Sequence, residues 1–397
     1  MSVLTINAGS SSIRFAFYGS GSAPAKLEYG KIERIGESGA AFEVSAGRGK
    51  TPSRVAVEAG SFRAAVDSLV EWLESQPRFA EVTAVGHRVV HGMTHSRPAR
   101  VTPRLLEELR AAIPYDPEHL PQEIELIELF GRRFPRLDQV ACFDTAFHRT
   151  MPRVATIIPI PRRYESKGVR RYGFHGLSYT FLLRELARLG DGACQHGRVI
   201  LAHLGNGASV AAVRDGRSID TSMAFTPAAG LPMSTRSGDL DPGVLNFLAT
   251  SQALDPAALQ KMVNHESGLL GISETSSDVR DLLAREREDV RAAEAIGVFC
   301  YQTKKWIAAF AGALGGLDTL VFAGGIGENS APIRQRVCEG LQFIGLDIDE
   351  SRNCEHAPLI SSAASRVAVR VIPTDEESVI ARMTAETLAR PPQGVEA

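Results

Sequence analysis

The sequence predicts an α/β fold made of two duplicated lobes. Two observations carry that reading. Strand-like apolar runs alternate with helix-like segments along the chain, the pattern of sheets flanked by helices. A strand–turn–strand signature also occurs twice, in residues 2–18 and again in residues 198–218. In the first copy Val3, Leu4, Thr5 and Ile6 run into Asn7-Ala8-Gly9-Ser10-Ser11-Ser12, and a second apolar run from Ile13 to Tyr18 follows. This is a β-hairpin pattern with a turn of small hydroxyl and amide side chains. Such a turn lets backbone N–H groups and Ser hydroxyls approach an anion, although an ordinary Ser-rich turn explains it equally well. The GxxxxGK[ST] spacing of a P-loop is absent. In the second copy, RVILAHLGNGASVAAVRDGRS, two apolar strands flank Gly205-Asn206-Gly207-Ala208-Ser209. A repeat at this long period is a domain duplication rather than a solenoid. Two lobes that each offer a small-residue hairpin to a shared cleft suit a nucleotide held between them.

Between and after the hairpins the elements follow in order. Phe62, Val66, Leu69, Val70 and Leu73 recur at helical spacing in residues 61–75. A strand at 82–85 leads into Gly86-His87-Arg88-Val89-Val90-His91-Gly92. Leu120, Ile124, Ile127 and Phe130 share one face of a helix over 119–131, and a strand at 139–143 ends in Asp144. Residues 291–314 read as a long, largely apolar helix, buried or at an interface. A strand at 319–323 opens into GGIGENS, where Ser330 could cap the next helix and Pro332 fits its first turn. A strand at 367–372 meets Pro373-Thr374-Asp375-Glu376-Glu377 and a final helix. The lobe border is expected near residue 148. Residues 1–148 then form the N-terminal lobe, completed by a C-terminal helix at about 381–397, and 149–380 form the C-terminal lobe.

Composition narrows the class. The 397 residues suggest two to three domains, at ~150 residues each. Lys and Arg total 44 against 46 Asp and Glu, a net charge of -2, so nothing global favours nucleic acid or an anionic membrane. No basic segment followed by an apolar one marks a signal peptide, and no apolar run approaches the ~20 residues of a membrane helix. Five scattered cysteines without a CxxC pair fit reduced thiols in a cytoplasmic protein.

Several polar or charged residues sit where strands end, the edge at which open α/β folds bind ligands, or in glycine-containing turns. They are Asn7, Arg88, Asp144, His175 in RRYGFHG, Arg236 in MSTRSGD, and Glu376. Singly, each has an ordinary explanation: a surface ion pair for either arginine, a structural role for His175, a turn or cap for Asp144. Thr374-x-x-Glu377 fits a capping box, which leaves Glu376 as the freer carboxylate. What such explanations do not cover is their coincidence with a duplicated phosphate-type hairpin.

The motifs INAGSSSIRF, GHRVVHG, CFDTAFH, RRYGFHG, HLGNGAS, GRSIDTSMAFTPAAGLPMSTRSGDLDP, SGLLGIS with SSDVRD, FAGGIGENS and IPTDEE occur together and in this order. Over nearly its full length the chain resembles the acetokinase family. The resemblance implies two lobes of the actin-like ATPase (ribonuclease H-like) type with a nucleotide cleft between them, paired as a homodimer through the C-terminal lobe. It implies reversible transfer of the γ-phosphoryl group of ATP to acetate, giving acetyl phosphate and ADP, with Mg²⁺ (Mn²⁺ substituting). Arg88 would hold the acetate carboxylate, and Arg236 and His175 would stabilise the transferring phosphoryl group. Asn7 and Glu376 would orient the metal, and Asp144 would order its waters or position Arg88. Phosphate contacts would come from Ser10, Ser12, Arg14 and the turn His203-Leu204-Gly205-Asn206-Gly207. Adenine and ribose would lie against Asp278-Val279-Arg280 and Gly325-Ile326-Gly327-Glu328-Asn329. Val90, Pro114, Phe174 and Pro227 would wall the acyl pocket.

Some positions depart from the family pattern. Arg14 replaces its Lys, Pro114-Tyr115-Asp116-Pro117 replaces LHNP, and His175-Gly176-Leu177-Ser178-Tyr179 replaces HGTSH. SMGFTP becomes Ser222 to Pro227 with Ala224, and MMGTRSG becomes Pro232 to Gly238. An added methylene is worth only ~1–3 kcal/mol of discrimination in an acyl pocket, so a propionate or other short-chain acyl kinase stands as the alternative. A non-catalytic nucleotide-binding switch predicts loss of a charged catalytic group, and all of these groups are present.

Overall fold

The computed structural model describes residues 1–9, 12–19, 25–36, 39–45, 47, 52–57 and 59–390. The chain divides into two compact units. Unit 1 is Met1–Ala146 with the segment from Asp375 onward, and unit 2 is Phe147–Thr374. The borders therefore fall at 146/147 and 374/375 rather than at the expected 148 and 380. His148 belongs to unit 2 because it bonds to Ser218 and to the Phe174 carbonyl. The last helix, Glu376–Ala389, starts earlier than expected because Asp375 caps it, its side chain accepting from the Ser378 N–H at 3.1 Å.

Unit 1 carries an eight-stranded sheet. Its strands are β1 (Ser2–Gly9), β2 (Ser12–Tyr18), β3 (Lys26–Glu33), β4 (Ala41–Ser45), β5 (Ser53–Val55), β6 (Val82–Val89), β7 (Ala99–Arg100) and β8 (Asp138–Phe143). Unit 2 carries a five-stranded sheet of β9 (Arg198–Leu204), β10 (Ala208–Arg214), β11 (Arg217–Thr221), β12 (Thr319–Ala323) and β13 (Ala368–Val371). The duplication is visible in the topology. Unit 1 contains the order β3-β2-β1-β6-β8 and unit 2 the order β11-β10-β9-β12-β13. In each, three antiparallel strands are followed by two parallel ones. Both small-residue hairpins expected from the sequence are present, with Gly9 opposite Ser12 and Leu204 opposite Ala208.

Packing explains the element choices. Side-chain caps start the helices Phe62–Ser75, where Ser61 accepts from the Ala64 N–H, and Pro103–Ala112, where Thr102 accepts from the Leu105 N–H. The helix Phe62–Ser75 buries Val66, Leu69 and Leu73 against Leu4, Ile6, Phe15 and Phe17 of the sheet. Each such side chain contributes about 1.5–3 kcal/mol. The helix Glu376–Ala389 covers the opposite face, with Ala381 against Val3, Ala16 and Ala84. Gly86 of β6 permits that approach, since a Cβ there would lie 2.2 Å from Thr384 Oγ1. In unit 2 the helix Gly176–Arg188 buries Tyr179, Leu182 and Leu186 against Val199, Leu201, Ala211 and Val213. The long helix Val290–Leu314 buries Ile296, Phe299 and Ile307. Gly324–Asn329, into which the strand opens, is a short helix. Ser330 precedes the next helix, but its hydroxyl makes no capping bond.

Candidate active site

In unit 1, β1, β6 and β8 run parallel, so their C-terminal ends share one sheet edge. Asn7 lies near the end of β1, Arg88 near the end of β6, and Asp144 just beyond β8. Arg88 donates from Nη2 and Nε to Asp144 Oδ2 at 2.7 and 2.9 Å, and from Nη1 to the Ala8 carbonyl at 3.4 Å. The Asp144 side chain is 1% exposed and that of Arg88 16%. Burial alone would lower the guanidinium's proton affinity, but Asp144, Glu376 and Glu123 outweigh it and raise it. Arg88 is therefore a permanently charged fork held at a fixed place.

Asn7 Nδ2 donates to Glu376 Oε2 at 2.8 Å and to Glu377 Oε1 at 3.3 Å. This corrects the capping-box expectation. Asp375 is the cap, so Glu377 is available to stand beside Glu376 at the Asn7 amide. Burial raises the pKa of both carboxyl groups, against the pull of Arg88 on Glu376 and of Lys26 on Glu377. Arg14, exposed on β2 in register with Asn7, also pulls both downward. Ser12 opens β2, and Ser10 lies outside the described residues.

One charged neighbour went unread in the sequence. Glu123 is 3% exposed and accepts the Val90 N–H on both carboxylate oxygens, at 3.0 and 3.2 Å. Burial pushes its carboxyl group up to about 8, against the pull of Arg88. The signal for it was a glutamate on the apolar face of the helix Leu120–Arg133, between Leu120 and Ile124. Of the expected acyl-wall residues, Val90 is buried and Pro114 exposed in unit 1, and Phe174 and Pro227 are both buried in unit 2.

Asn7, Asp144, Glu376 and Glu377 offer oxygen donors only, the chemistry Mg²⁺ selects. Among the described residues no three or more His, Cys, Asp or Glu side chains form a metal cage. The residues present fit Mg²⁺.

In unit 2 the hairpin between β9 and β10 brings the remaining groups together. His175 caps the helix Gly176–Arg188 in a left-handed conformation, φ 59°. A non-glycine residue held there often marks a functional site. A Cβ built on Gly207 would lie 3.3 Å from His175 Nε2 and 3.6 Å from Arg236 Nη1, so both side chains reach the same backbone. Arg236 is part-buried, with Nη1 at 3.4 Å from the Pro227 carbonyl and 3.9 Å from Met233 Sδ. A Cβ on Gly205 would lie 3.7 Å from His203 Nε2 and 3.8 Å from the Gly325 nitrogen, which places the glycine run 324–327 beside the hairpin. Gly324, at φ +75°, passes so close to the Leu204 carbonyl that a Cβ would sit 2.6 Å from it. Asn206 and Gly325 are exposed at this edge.

Several expected nucleotide residues have other work. Leu204 and Val279 are buried, so neither side chain can face a ligand. Asp278 caps the helix Val279–Arg285 and pairs with the Arg280 guanidinium at 2.5 Å. Glu328 Oε1 accepts the N–H groups of Gly324 and Thr374 at 2.9 and 3.0 Å. Asn329 Nδ2 donates to the Gly325 carbonyl at 2.9 Å, and Ile326 and Gly327 sit between them in the short helix.

His148, also unread in the sequence, steadies this region. Its Nε2 donates to the Phe174 carbonyl at 3.0 Å, so Nδ1 accepts from the Ser218 hydroxyl at 2.8 Å. Burial pushes its pKa down to about 4. The unfolded value is ~6.5, so its contribution is intact above that pH and is lost as pH falls from 6.5 toward 4. Denaturant titrations are expected to show about 1.4 kcal/mol of stability lost per pH unit from this residue in that window. His148→Gln is expected to flatten the slope there.

Comparison with known proteins gives consistent matches. The model of the Acetokinase family matches residues 2–382. The chain is 44% identical to the acetate kinase of Methylocella silvestris over 396 residues, covering 96% of each. It is 41% identical to the propionate kinase of Citrobacter rodentium, covering 96% of this chain and 95% of that one. Among solved structures it is similar to Porphyromonas gingivalis acetate kinase, at TM-score 0.85 and 36% identity, covering 98% and 99% of the two chains. A propionate kinase from Francisella tularensis gives TM-score 0.88 at 36% identity, covering 97% and 99%.

Proposed function

The chain belongs to the acetokinase family, and on that premise we propose that it transfers the γ-phosphoryl group of ATP reversibly to acetate, giving acetyl phosphate and ADP. The observation that carries the reading is the meeting of His175 Nε2 and Arg236 Nη1 at the Gly207 backbone. The acceptor is a carboxylate, already ionised at neutral pH, so no strong base is required. Catalysis then rests on positioning and on neutralising charge at the transferring group. Arg236 presents a charged fork to the equatorial phosphoryl oxygens, and His175 adds a ring donor. Arg88, held by Asp144, binds the acetate carboxylate. The glycine-lined edge formed by 205–207 and 324–327 lets phosphates approach the backbone closely. Asn7, Glu376 and Glu377 would hold Mg²⁺ through its waters. When bound, Mg²⁺ would offset phosphate charge.

Propionate is the second reading, because relatives of similar identity are named propionate kinases. The test is acyl-hydroxamate formation from ATP, Mg²⁺ and hydroxylamine with acetate, propionate and butyrate in parallel. The highest kcat/KM with acetate supports the first reading, and a preference for propionate replaces it with the second.

The protein is proposed to act as a cytoplasmic homodimer. Among the described residues no helix is long and apolar enough to cross a membrane. The helices Pro242–Ser251 and Pro256–His265 have no buried residue, although the first reads PGVLNFLATS. Val244, Phe247, Val298 and Tyr301 expose apolar surface at 43%, 58%, 38% and 61%. A second copy covering this surface of unit 2 would account for it. Phe247→Glu is expected to convert a dimer to a monomer in light scattering, with the thermal transition retained. A wild-type monomer at micromolar concentration would contradict the pairing.

A further inference from the structure

The first turn of the helix Gly176–Arg188 holds two stacked histidines through two adjacent hydroxyl residues. The rings of His175 and His203 lie 4.2 Å apart at 26°. Ser178 Oγ is 2.8 Å from His203 Nδ1. Tyr179 Oη is 2.5 Å from Ser209 Oγ, which is 2.8 Å from His175 Nδ1. Tyr179 and Ser209 are both 0% exposed, so water does not compete for these bonds.

We propose that Tyr179 is a positioning residue which, acting through Ser209, fixes His175 in the tautomer that carries its hydrogen on Nε2. A phenol is more acidic than an aliphatic hydroxyl and is the better donor, so Tyr179 donates to Ser209 Oγ. The single Ser209 hydrogen is then directed to His175 Nδ1. A neutral imidazole whose Nδ1 accepts bears its hydrogen on Nε2. Nε2 is the atom that meets the Gly207 backbone beside Arg236 Nη1. The relay therefore aims an N–H donor, rather than a lone pair, at the place where Arg236 offers its charge. The opposite tautomer would present a lone pair to an anionic phosphoryl group and repel it.

The kinetic part rests on the proposed phosphoryl transfer, whereas the tautomer does not. The test uses the full-length enzyme, labelled with ¹⁵N at histidine, the His175 signals being assigned with His175→Asn. Wild-type enzyme is expected to show the Nε2–H pattern for His175. Tyr179→Phe is expected to shift it toward a mixture of tautomers and to lower kcat about tenfold, the scale of one lost hydrogen bond. KM for ATP and for acetate should stay within about twofold of wild type, since the donor acts on the transferring group. A Tyr179→Phe enzyme with wild-type kcat and an unchanged Nε2–H signal would overturn the relay. If Tyr179→Phe does not fold, Ser209→Ala carries the same test, with loss of the fixed tautomer as the expected result and its retention as the contrary one. A wild-type enzyme that forms no acyl phosphate would sink the kinase reading separately, because the tautomer is read without turnover.

Discussion

Replacing Arg236 with alanine is expected to lower kcat by roughly 10³-fold while leaving the thermal midpoint close to wild type. An arginine aimed at a transferring phosphoryl group is worth about 10³–10⁵ in rate. A Cβ on Gly207 would lie 3.6 Å from Arg236 Nη1 and 3.3 Å from His175 Nε2, so the two side chains converge on one place. Its bonds to the Pro227 carbonyl and Met233 Sδ are long and go to neutral acceptors. Arg236→Lys keeps the charge but not the planar fork, and should recover only part of the loss. Steady-state kinetics beside a thermal melt separates the two effects. A kcat within tenfold of wild type for Arg236→Ala would remove Arg236 from the mechanism.

Arg88→Ala is expected to act differently, reducing both activity and stability. Its guanidinium donates twice to Asp144 and also interacts with the Glu376 and Glu123 carboxyl groups. Removing it leaves the buried Asp144 and Glu123 and the half-buried Glu376 without their shared cation. Loss of one partner of a buried pair typically costs about 3–5 kcal/mol. The KM for acetate should rise with the loss of the carboxylate fork, taking kcat/KM down by at least about 10². Arg88→Lys should restore much of the stability and little of the acetate affinity. Urea midpoints and acetate titrations on the three proteins check this. Unchanged stability in Arg88→Ala would contradict the buried network, and an unchanged KM would contradict the acetate role.

The sequence revealed those parts of this account that have a local pattern. Two hairpins show as apolar strands around small-residue turns, and the amphipathic helices show as a repeat of Leu, Val and Ile on one face. Arg88, Asp144, His175 and Arg236 were found because each interrupts such a pattern at the end of a strand or in a glycine-rich turn. What the sequence did not reveal depends on which distant atoms meet. Thr374 and Asp375 are both competent caps, and only the backbone path selects Asp375, which releases Glu377 toward Asn7. Glu123 matters because the chain just beyond β6 hands it the Val90 N–H. Asp278 and Glu328 were expected at the nucleotide, yet their oxygens engage neighbouring N–H groups. The Tyr179 change was visible as a departure, but its meaning required Ser209, on a strand thirty positions along the chain.

The most direct test of the central claim is ³¹P NMR of the purified enzyme with ATP, Mg²⁺ and acetate. One acyl phosphate resonance should grow with ADP in equal amounts, and added ADP should drive it back to ATP. Inorganic phosphate and ADP without an acyl phosphate, or no turnover by an enzyme that still binds ATP, would contradict phosphoryl transfer to a short carboxylate.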